Sequence, residues 1–231
     1  MVSSYPVGFT PRLDLVRAAT PQLLKQHSIH RWFYFPHSYS PELVDAILDS
    51  WRPHSITSVV DPFVGAGTTL LVARDRGYEA LGTDLSPLAI LVSNAKLAKY
   101  DPRTVRHELS SVLEHASSSK EYPKITLPRL QRALTESEHT VFWRLRQAIA
   151  GLAEPTRGLM LVGLVRTLGS FSRAVADGGW FRWAEKPEQA SLIADVFQDR
   201  VLQMLAEIEG AETQESSDEV PLAIARKCDA R

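Results

Sequence analysis

Two short runs, Asp61-Pro62-Phe63-Val64-Gly65-Ala66-Gly67-Thr68-Thr69 and Gly82-Thr83-Asp84-Leu85-Ser86-Pro87, carry the residue types from which a ligand pocket is built. Gly65 and Gly67 allow a sharp turn and let the backbone approach a ligand without a Cβ clash. Thr68 and Thr69 then open a helix, whose first N–H groups form an electropositive end. Asp84 falls at the end of the next strand, where a carboxylate accepts hydrogen bonds from ribose hydroxyls. The chemistry is therefore recognition of an adenosine-bearing ligand. A pyrophosphate dinucleotide would call for Gly-x-Gly-x-x-Gly, but Leu70 stands where the third glycine belongs. Asp61, just before the turn, would repel phosphates and attract an amino group. The combination favours an aminoacyl-nucleoside. The plainer alternatives are a glycine turn with no ligand and an Asp84 that only caps the next helix. Capping and ribose binding are compatible.

The elements that must hold these runs follow from pattern. Ile56 to Val60 is a short β-branched strand, and a helix runs from about Thr68 to Arg76, stopped by Gly77. Tyr78 to Thr83 is a second strand and Pro87 to Lys99 a second helix. This alternation predicts an α/β fold with a parallel sheet. Upstream, residues 1 to 30 read as an irregular arm with a short helix. Arg31-Trp32-Phe33-Tyr34-Phe35-Pro36-His37-Ser38-Tyr39 is an aromatic cluster that proline keeps from being helical. Ser40 caps a helix that starts at Pro41 and ends by Pro53.

Beyond Asp101 the character becomes helical. Asp101 to about His115 is one helix, Ser117 to Pro128 a linker, and Glu136–Ala150, Pro155–Ala176 and Pro187–Ile208 three more. On the last, Ile193, Phe197, Val201, Leu205 and Ile208 recur at near-helical spacing, while Asp195, Asp199, Glu207 and Glu209 read as its wet face. Gly210 to Glu219 reads as a solvated acidic loop, and Val220 to Ala225 as a further strand. The expected organisation is an arm and first half-domain over 1–100, a helical insertion over 101–219, and the start of the next sheet strand over 220–231.

Composition excludes several classes. Among 231 residues, 44% are hydrophobic and 23% charged, the balance of a globular domain. No apolar run reaches membrane-spanning length, and no signal peptide is evident, so a cytoplasmic setting is the default expectation. The single cysteine, Cys228, precludes an intrachain disulfide, and the histidines show no zinc-ligand spacing, so no metal is expected. A net charge of −1 does not advertise nucleic-acid binding, although a local basic face is compatible with it.

The glycine turn together with Asp84-Leu85-Ser86-Pro87 closely resembles the S-adenosylmethionine-dependent DNA amino-methyltransferases, which modify adenine N6 or cytosine N4. Phe35 to Val44 looks like that family's additional cofactor motif placed upstream of the turn. The resemblance is specific over about residues 31 to 99. It implies a Rossmann-like S-adenosylmethionine methyltransferase fold, here with an incomplete sheet and a helical insertion. It implies that Asp61, Gly65 and Gly67 line the methionine end of S-adenosyl-L-methionine and that Asp84 holds the ribose. Phe35, Pro36, His37 and Ser38 would form a wall, with Pro62, Phe63, Thr68, Thr69, Leu85 and Ser86 completing the cofactor set. Cys228-Asp229-Ala230-Arg231 is similar to the motif after the family's third strand, which makes Asp229 the candidate for the adenine amino group.

The family's catalytic tetrad is an acidic or polar residue, two prolines and an aromatic. No such tetrad occurs in these 231 residues; Asp101-Pro102-Arg103 lacks the second proline and the aromatic. The family order would place it just after Asp229. The expectation is thus a cofactor-binding half with no catalytic residue of its own, acting on DNA: a fragment, a truncated gene product, or one subunit of a split enzyme completed by a C-terminal polypeptide that carries the tetrad. Two other readings stay open: a non-catalytic cofactor-binding subunit, and an RNA guanine-N2 methyltransferase, which shares a similar glycine turn. Arg173, Trp180, Arg182 and Trp183 flank Gly178-Gly179 and read either as a phosphate-gripping, base-stacking surface or as a loop pinned by its tryptophans.

Overall fold

Val59 and Val60 lie in a four-residue strand, β1 (Ser58–Asp61), which pairs in parallel with β2 (Glu79–Asp84). The other edge of β2 pairs in parallel with β5 (Ala223–Lys227), so the sheet order is β1-β2-β5. The structure is a computed structural model that describes residues 12–51, 56–121, 126–177, 180–212 and 222–228.

Register decides which face is covered. Val59, Ala80 and Ala223 form one cross-strand row, and Val60, Leu81 and Ile224 the next. Successive side chains point to opposite faces. The first row packs with Leu70 and Ala73 of α2 (Thr68–Asp75) and with Ile90 and Leu97 of α3 (Pro87–Leu97). On the opposite face Val60 and Leu81 remain 66% and 39% exposed. Gly82 shows how closely the covered side is packed: a Cβ there would lie 2.6 Å from Val64 Cγ2 and 2.9 Å from Leu70 Cδ2. The outer edge of β5 is satisfied by a side chain. Asn94 Nδ2 donates to the Ala225 carbonyl, and the Ala225 N–H donates to Asn94 Oδ1, both at 2.9 Å. An amide side chain carries the same donor–acceptor pair as a peptide group, so Asn94 stands in for one residue of a neighbouring strand.

Helix α1 (Pro41–Trp51) lies against α2 through Val44, Leu48 and Val72. After α3 come α4 (Pro102–Ser118), α5 (Pro128–Ala133), α6 (Glu136–Ala150), α7 (Thr156–Phe171) and α8 (Ile193–Glu212). Asp101 caps α4 by accepting from the Arg103 and Thr104 N–H groups. Thr135 and Glu138 form a reciprocal capping box on α6. These helices build a core distinct from the one on the sheet, and α3 and the arm contribute to it. Val92 and Ala95 of α3 and Trp32 of the arm join Leu145, Ile149, Leu159, Met160, Phe197, Val201 and Leu205 in one continuous buried cluster.

Several expectations move. The helix expected through Ala176 ends at Phe171. Ser172 turns out of helical backbone, and Ala174–Asp177 becomes β3, antiparallel to β4 (Trp180–Trp183). Local pattern favoured continuing the helix, but hairpin pairing supplies the backbone partners that the helix would have. Helix α4 runs to Ser118, into the expected linker. The last helix begins after a 3₁₀ turn at Ala190–Leu192 and continues through Gly210 to Glu212. The short arm helix is instead three 3₁₀ turns, Leu13–Leu15, Pro21–Gln26 and His30–Trp32.

Candidate cofactor site

The glycine turn connects β1 to α2 with both glycines at positive φ, Gly65 at +50° and Gly67 at +81°. Gly67 is the left-handed residue that starts α2. A Cβ on it would meet Ser93 Oγ at 3.0 Å and Ser93 Cα at 3.1 Å, so α3 closes on the turn because the side chain is missing. Backbone bonds hold the loop: Val64 N–H to the Thr83 carbonyl at 3.0 Å and Gly67 N–H to the Val64 carbonyl at 2.8 Å. Ser93 Oγ donates to the Gly65 carbonyl at 3.1 Å.

Asp84 sits opposite this turn. One carboxylate oxygen accepts from the Gly65 N–H at 3.0 Å, and the other from the Ser86 N–H at 2.8 Å. The carboxylate therefore shapes the turn and the entry to α3, and each oxygen keeps acceptor capacity for a ligand hydroxyl. Asp61 is held differently. It accepts from the Phe63 N–H at 3.0 Å and from the Tyr39 hydroxyl at 3.2 Å, and that hydroxyl also hydrogen-bonds Thr69 Oγ1. Burial first, and then Asp61, raise the Tyr39 phenol to about 12, so it stays a neutral donor. Through Tyr39 the arm is bonded to both ends of the turn.

These contacts enclose a cleft of about 290 Å³. Phe35, His37, Ser38 and Tyr39 line it from the arm, Phe63, Val64, Gly65, Ala66 and Thr68 from the turn, and Asp84, Ser86 and Ala89 from the β2–α3 side. Of the residues expected from sequence, Phe35, His37, Ser38, Phe63, Gly65, Thr68, Asp84 and Ser86 meet here. Pro36, Asp61, Pro62, Gly67, Thr69 and Leu85 stand behind or beside the lining, and Asp229 lies outside the described residues. Tyr39 stands in the aromatic cluster and in the upstream motif, with no site role of its own expected from sequence. Its signal lay in the Tyr-Ser-Pro step into α1, which places a phenol where the arm meets the sheet. Ala66 and Ala89 carried no signal, because small residues lining a cleft look like any alanine. The lining contains Asp84 but no lysine or arginine, and no ion pair to Asp61 or Asp84 occurs among the described residues.

A second unexpected contact lies nearby. Glu207, expected on the wet face of α8, is turned inward. It accepts from the Ile29 N–H at 2.7 Å, Trp32 Nε1 at 3.0 Å and Arg31 Nε at 2.8 Å. Helical spacing could not reveal this, because the arm that covers the carboxylate is more than 170 residues away in sequence.

Parallel strands, a left-handed glycine turn and an acidic strand end define a Rossmann-like methyltransferase fold. Within that class, residues 41–151 match the family of D12 class N6 adenine-specific DNA methyltransferases, so the DNA amino-methyltransferase resemblance is shown for this segment. That class uses S-adenosyl-L-methionine as methyl donor. The chain is 25% identical over 166 residues to the type II methyltransferase M.BsoBI of Geobacillus stearothermophilus, covering 70% of this chain and 33% of that protein. It is 29% identical over 119 residues to M.MjaII of Methanocaldococcus jannaschii, covering 51% of this chain and 22% of that one. A third relative, M.MvaI of Kocuria varians, is 29% identical over 85 residues, covering 36% and 19%. The chain thus spans a third or less of the length of these relatives. No solved structure matches it. Among the described residues, no helix is long and apolar enough to cross a membrane.

Proposed function

We propose that this chain binds S-adenosyl-L-methionine and serves as the cofactor-binding half of a site-specific DNA methyltransferase acting on adenine N6 or cytosine N4. The carrying observation is the electrostatics of the cleft. A glycine turn and helix start that elsewhere cradle phosphate are here faced by Asp84 and backed by Asp61, with no lysine or arginine in the lining. That arrangement disfavours a pyrophosphate and suits a ligand whose polar end carries a sulfonium and an ammonium. The glycines leave the space a nucleoside needs, so the residues present fit the cofactor.

In this reading Asp84 accepts hydrogen bonds from the ribose hydroxyls, and Phe35 and Phe63 supply apolar surface at the cleft wall. Asp61, held by Tyr39, sets a negative charge near the methionine end. When bound, the cofactor supplies an electrophilic methyl group. The contribution of these residues is alignment and exclusion of water, since direct displacement needs no metal. The target amino group would be presented on an extruded base. For DNA contact the β3–β4 hairpin is favoured. Trp180 is 85% exposed, and Arg132 stacks 4.2 Å from the Trp183 ring centroid, so Trp183 is the pinned tryptophan and Trp180 the presented one. The uncovered face at Val60 and Leu81, beside a β1 that pairs only with β2 among the described residues, favours completion by a polypeptide carrying the catalytic tetrad.

Calorimetry with S-adenosylhomocysteine tests the pocket. The parent binds, and Asp84→Ala weakens binding by roughly tenfold to a hundredfold, the range of one or two hydrogen bonds to a charged group. Equal affinity in both sinks the assignment of Asp84. Methyl transfer to DNA, measured for the chain alone and mixed with a complementary polypeptide, tests the split.

A further inference from the structure

We propose that Lys96 is a positioning residue for the cofactor cleft: its ammonium clasps the aromatic arm onto the glycine turn and so fixes the wall that Phe35 presents. This deepens the cofactor-binding reading above and rests on it for its functional part.

Lys96 lies on α3 and is 2% exposed. Its Nζ donates to three main-chain carbonyls: Phe33 at 2.7 Å, Ala66 at 2.9 Å and His30 at 3.0 Å. An ammonium has three donors, and all three are used. Two acceptors belong to the arm and the third to the turn itself. Ala66 lines the cleft; Phe33 is two residues from Phe35, which also lines it, and their rings pack edge to face at 5.2 Å. Ser93, one helical turn before Lys96, holds the neighbouring Gly65 carbonyl. One face of α3 therefore grips two successive carbonyls of the turn, and only Lys96 reaches across to the arm as well.

A buried lysine without a carboxylate partner costs stability that an apolar residue would not. No described carboxylate pairs with Lys96. The arrangement makes sense as a device that needs a cation's three divergent donors, because no neutral side chain supplies three. The arm is held from the other side by an opposite charge, the Glu207 carboxylate that accepts from Ile29, Arg31 and Trp32. Carbonyls are tied to a cation on the sheet side, and N–H groups to an anion on the helical side. The charged or titratable groups near Lys96 are His30 on the arm and Arg166 on α7, with His27 and Arg74 acting on His30. Burial, and then Lys96, His27 and Arg74, hold His30 down at about 3, so it is neutral wherever the protein is handled. Burial, with Arg166 adding repulsion, brings Lys96 down to about 7.

The experiment compares parent, Lys96→Met and Lys96→Arg in two readouts, hydrogen exchange of residues 30–39 and affinity for S-adenosylhomocysteine. Lys96→Met is expected to speed arm exchange and to weaken binding about tenfold or more, the factor that a lost charge-assisted hydrogen bond carries. Lys96→Arg, which keeps the charge, is expected to recover part of both. Unchanged arm exchange in a folded Lys96→Met overturns the clasp. Faster arm exchange with unchanged affinity overturns its role in positioning the cleft. A parent that does not bind the ligand overturns the cofactor reading instead, while arm exchange still decides the clasp. Should Lys96→Met not fold, the parent at pH 6 and pH 9 decides. Loss of arm protection at pH 9, corrected for intrinsic rate and measured against α7 and α8, supports the clasp. Equal protection overturns it.

Discussion

The cleft region and the helical region of this molecule are held by different forces. From Asp61 to Lys96 the decisive contacts are polar and end on the main chain: Asp84 on Gly65 and Ser86, Ser93 on Gly65, Lys96 on Ala66, Phe33 and His30. From α4 to α8 the core is apolar and space-filling, with Leu145, Ile149, Leu159, Met160, Phe197, Val201 and Leu205 all fully buried, and the Glu138–Arg173 pair is its one strong buried ion pair among the described residues. Apolar packing is strong and tolerant of small displacements, whereas a hydrogen bond to a carbonyl fixes direction. The helices supply cohesion and the polar clasps supply shape. The two meet on α3, whose Val92 and Ala95 join the helical core while Ser93 and Lys96 hold the turn.

This contrast can be broken at its strongest point first. Phe197→Ala should lower the unfolding free energy by about 3–5 kcal/mol, measured by urea denaturation. A loss confined to ligand affinity would mean that the helical core does not carry cohesion. Glu138→Ala should cost about 3 kcal/mol, because Arg173 would be left partly buried without its partner. Glu138 accepts from Arg173 at 2.6 Å and from the Thr135 and Gln189 N–H groups. Burial alone would raise its pKa, but Arg173 and the two N–H groups outweigh burial and lower it. The contribution of this pair is therefore present above the ordinary glutamate range and lost as pH falls through the lowered value. Acid titration of the melting temperature in parent and Glu138→Gln checks the sign.

In the cleft the expected pattern reverses, with shape lost before stability. Gly67→Ala should cost about 1–2 kcal/mol through its positive φ, and it should weaken S-adenosylhomocysteine binding by pressing on Ser93. Lys96 sharpens the comparison through pH. In the unfolded chain a lysine keeps its proton to about 10.4, whereas here it is held to about 7. Between those values the unfolded state binds more protons, so global stability rises with pH while the arm loosens. Melting curves and arm exchange recorded together should move in opposite directions. The smallest effect is expected at Trp180→Ala, within about 0.5 kcal/mol of parent stability because the side chain is exposed. Binding to a DNA duplex is where that substitution should register.

The parts of the fold that were legible in sequence are those governed by local rules. The turn, the strand leading to Asp84, the start of α1 at Pro41 and the start of α3 at Pro87 all announce themselves through glycine, proline and short polar side chains. The β3–β4 hairpin was not legible, because Ala174–Asp177 continues the apolar run of α7 and its strand state depends on the partner Trp180–Trp183. Asn94 completing the β5 edge and Glu207 facing the arm were hidden for the same reason. An amide or a carboxylate on a helix looks solvent-bound until the distant segment that it bonds is brought to it.

By itself, then, the order of residues determined a parallel α/β unit with a glycine turn opposed by an acidic strand end, since backbone freedom at Gly65 and Gly67 and strand periodicity act over a few residues. Tertiary structure alone decided that Tyr39 ties the arm to both ends of that turn, that Lys96 and Glu207 hold the arm with opposite charges, and that one sheet face is covered while Val60 on the other is exposed. Those outcomes depend on groups between 22 and 178 positions apart. No local propensity reaches so far; only the burial of the shared core brings such groups within hydrogen-bonding distance.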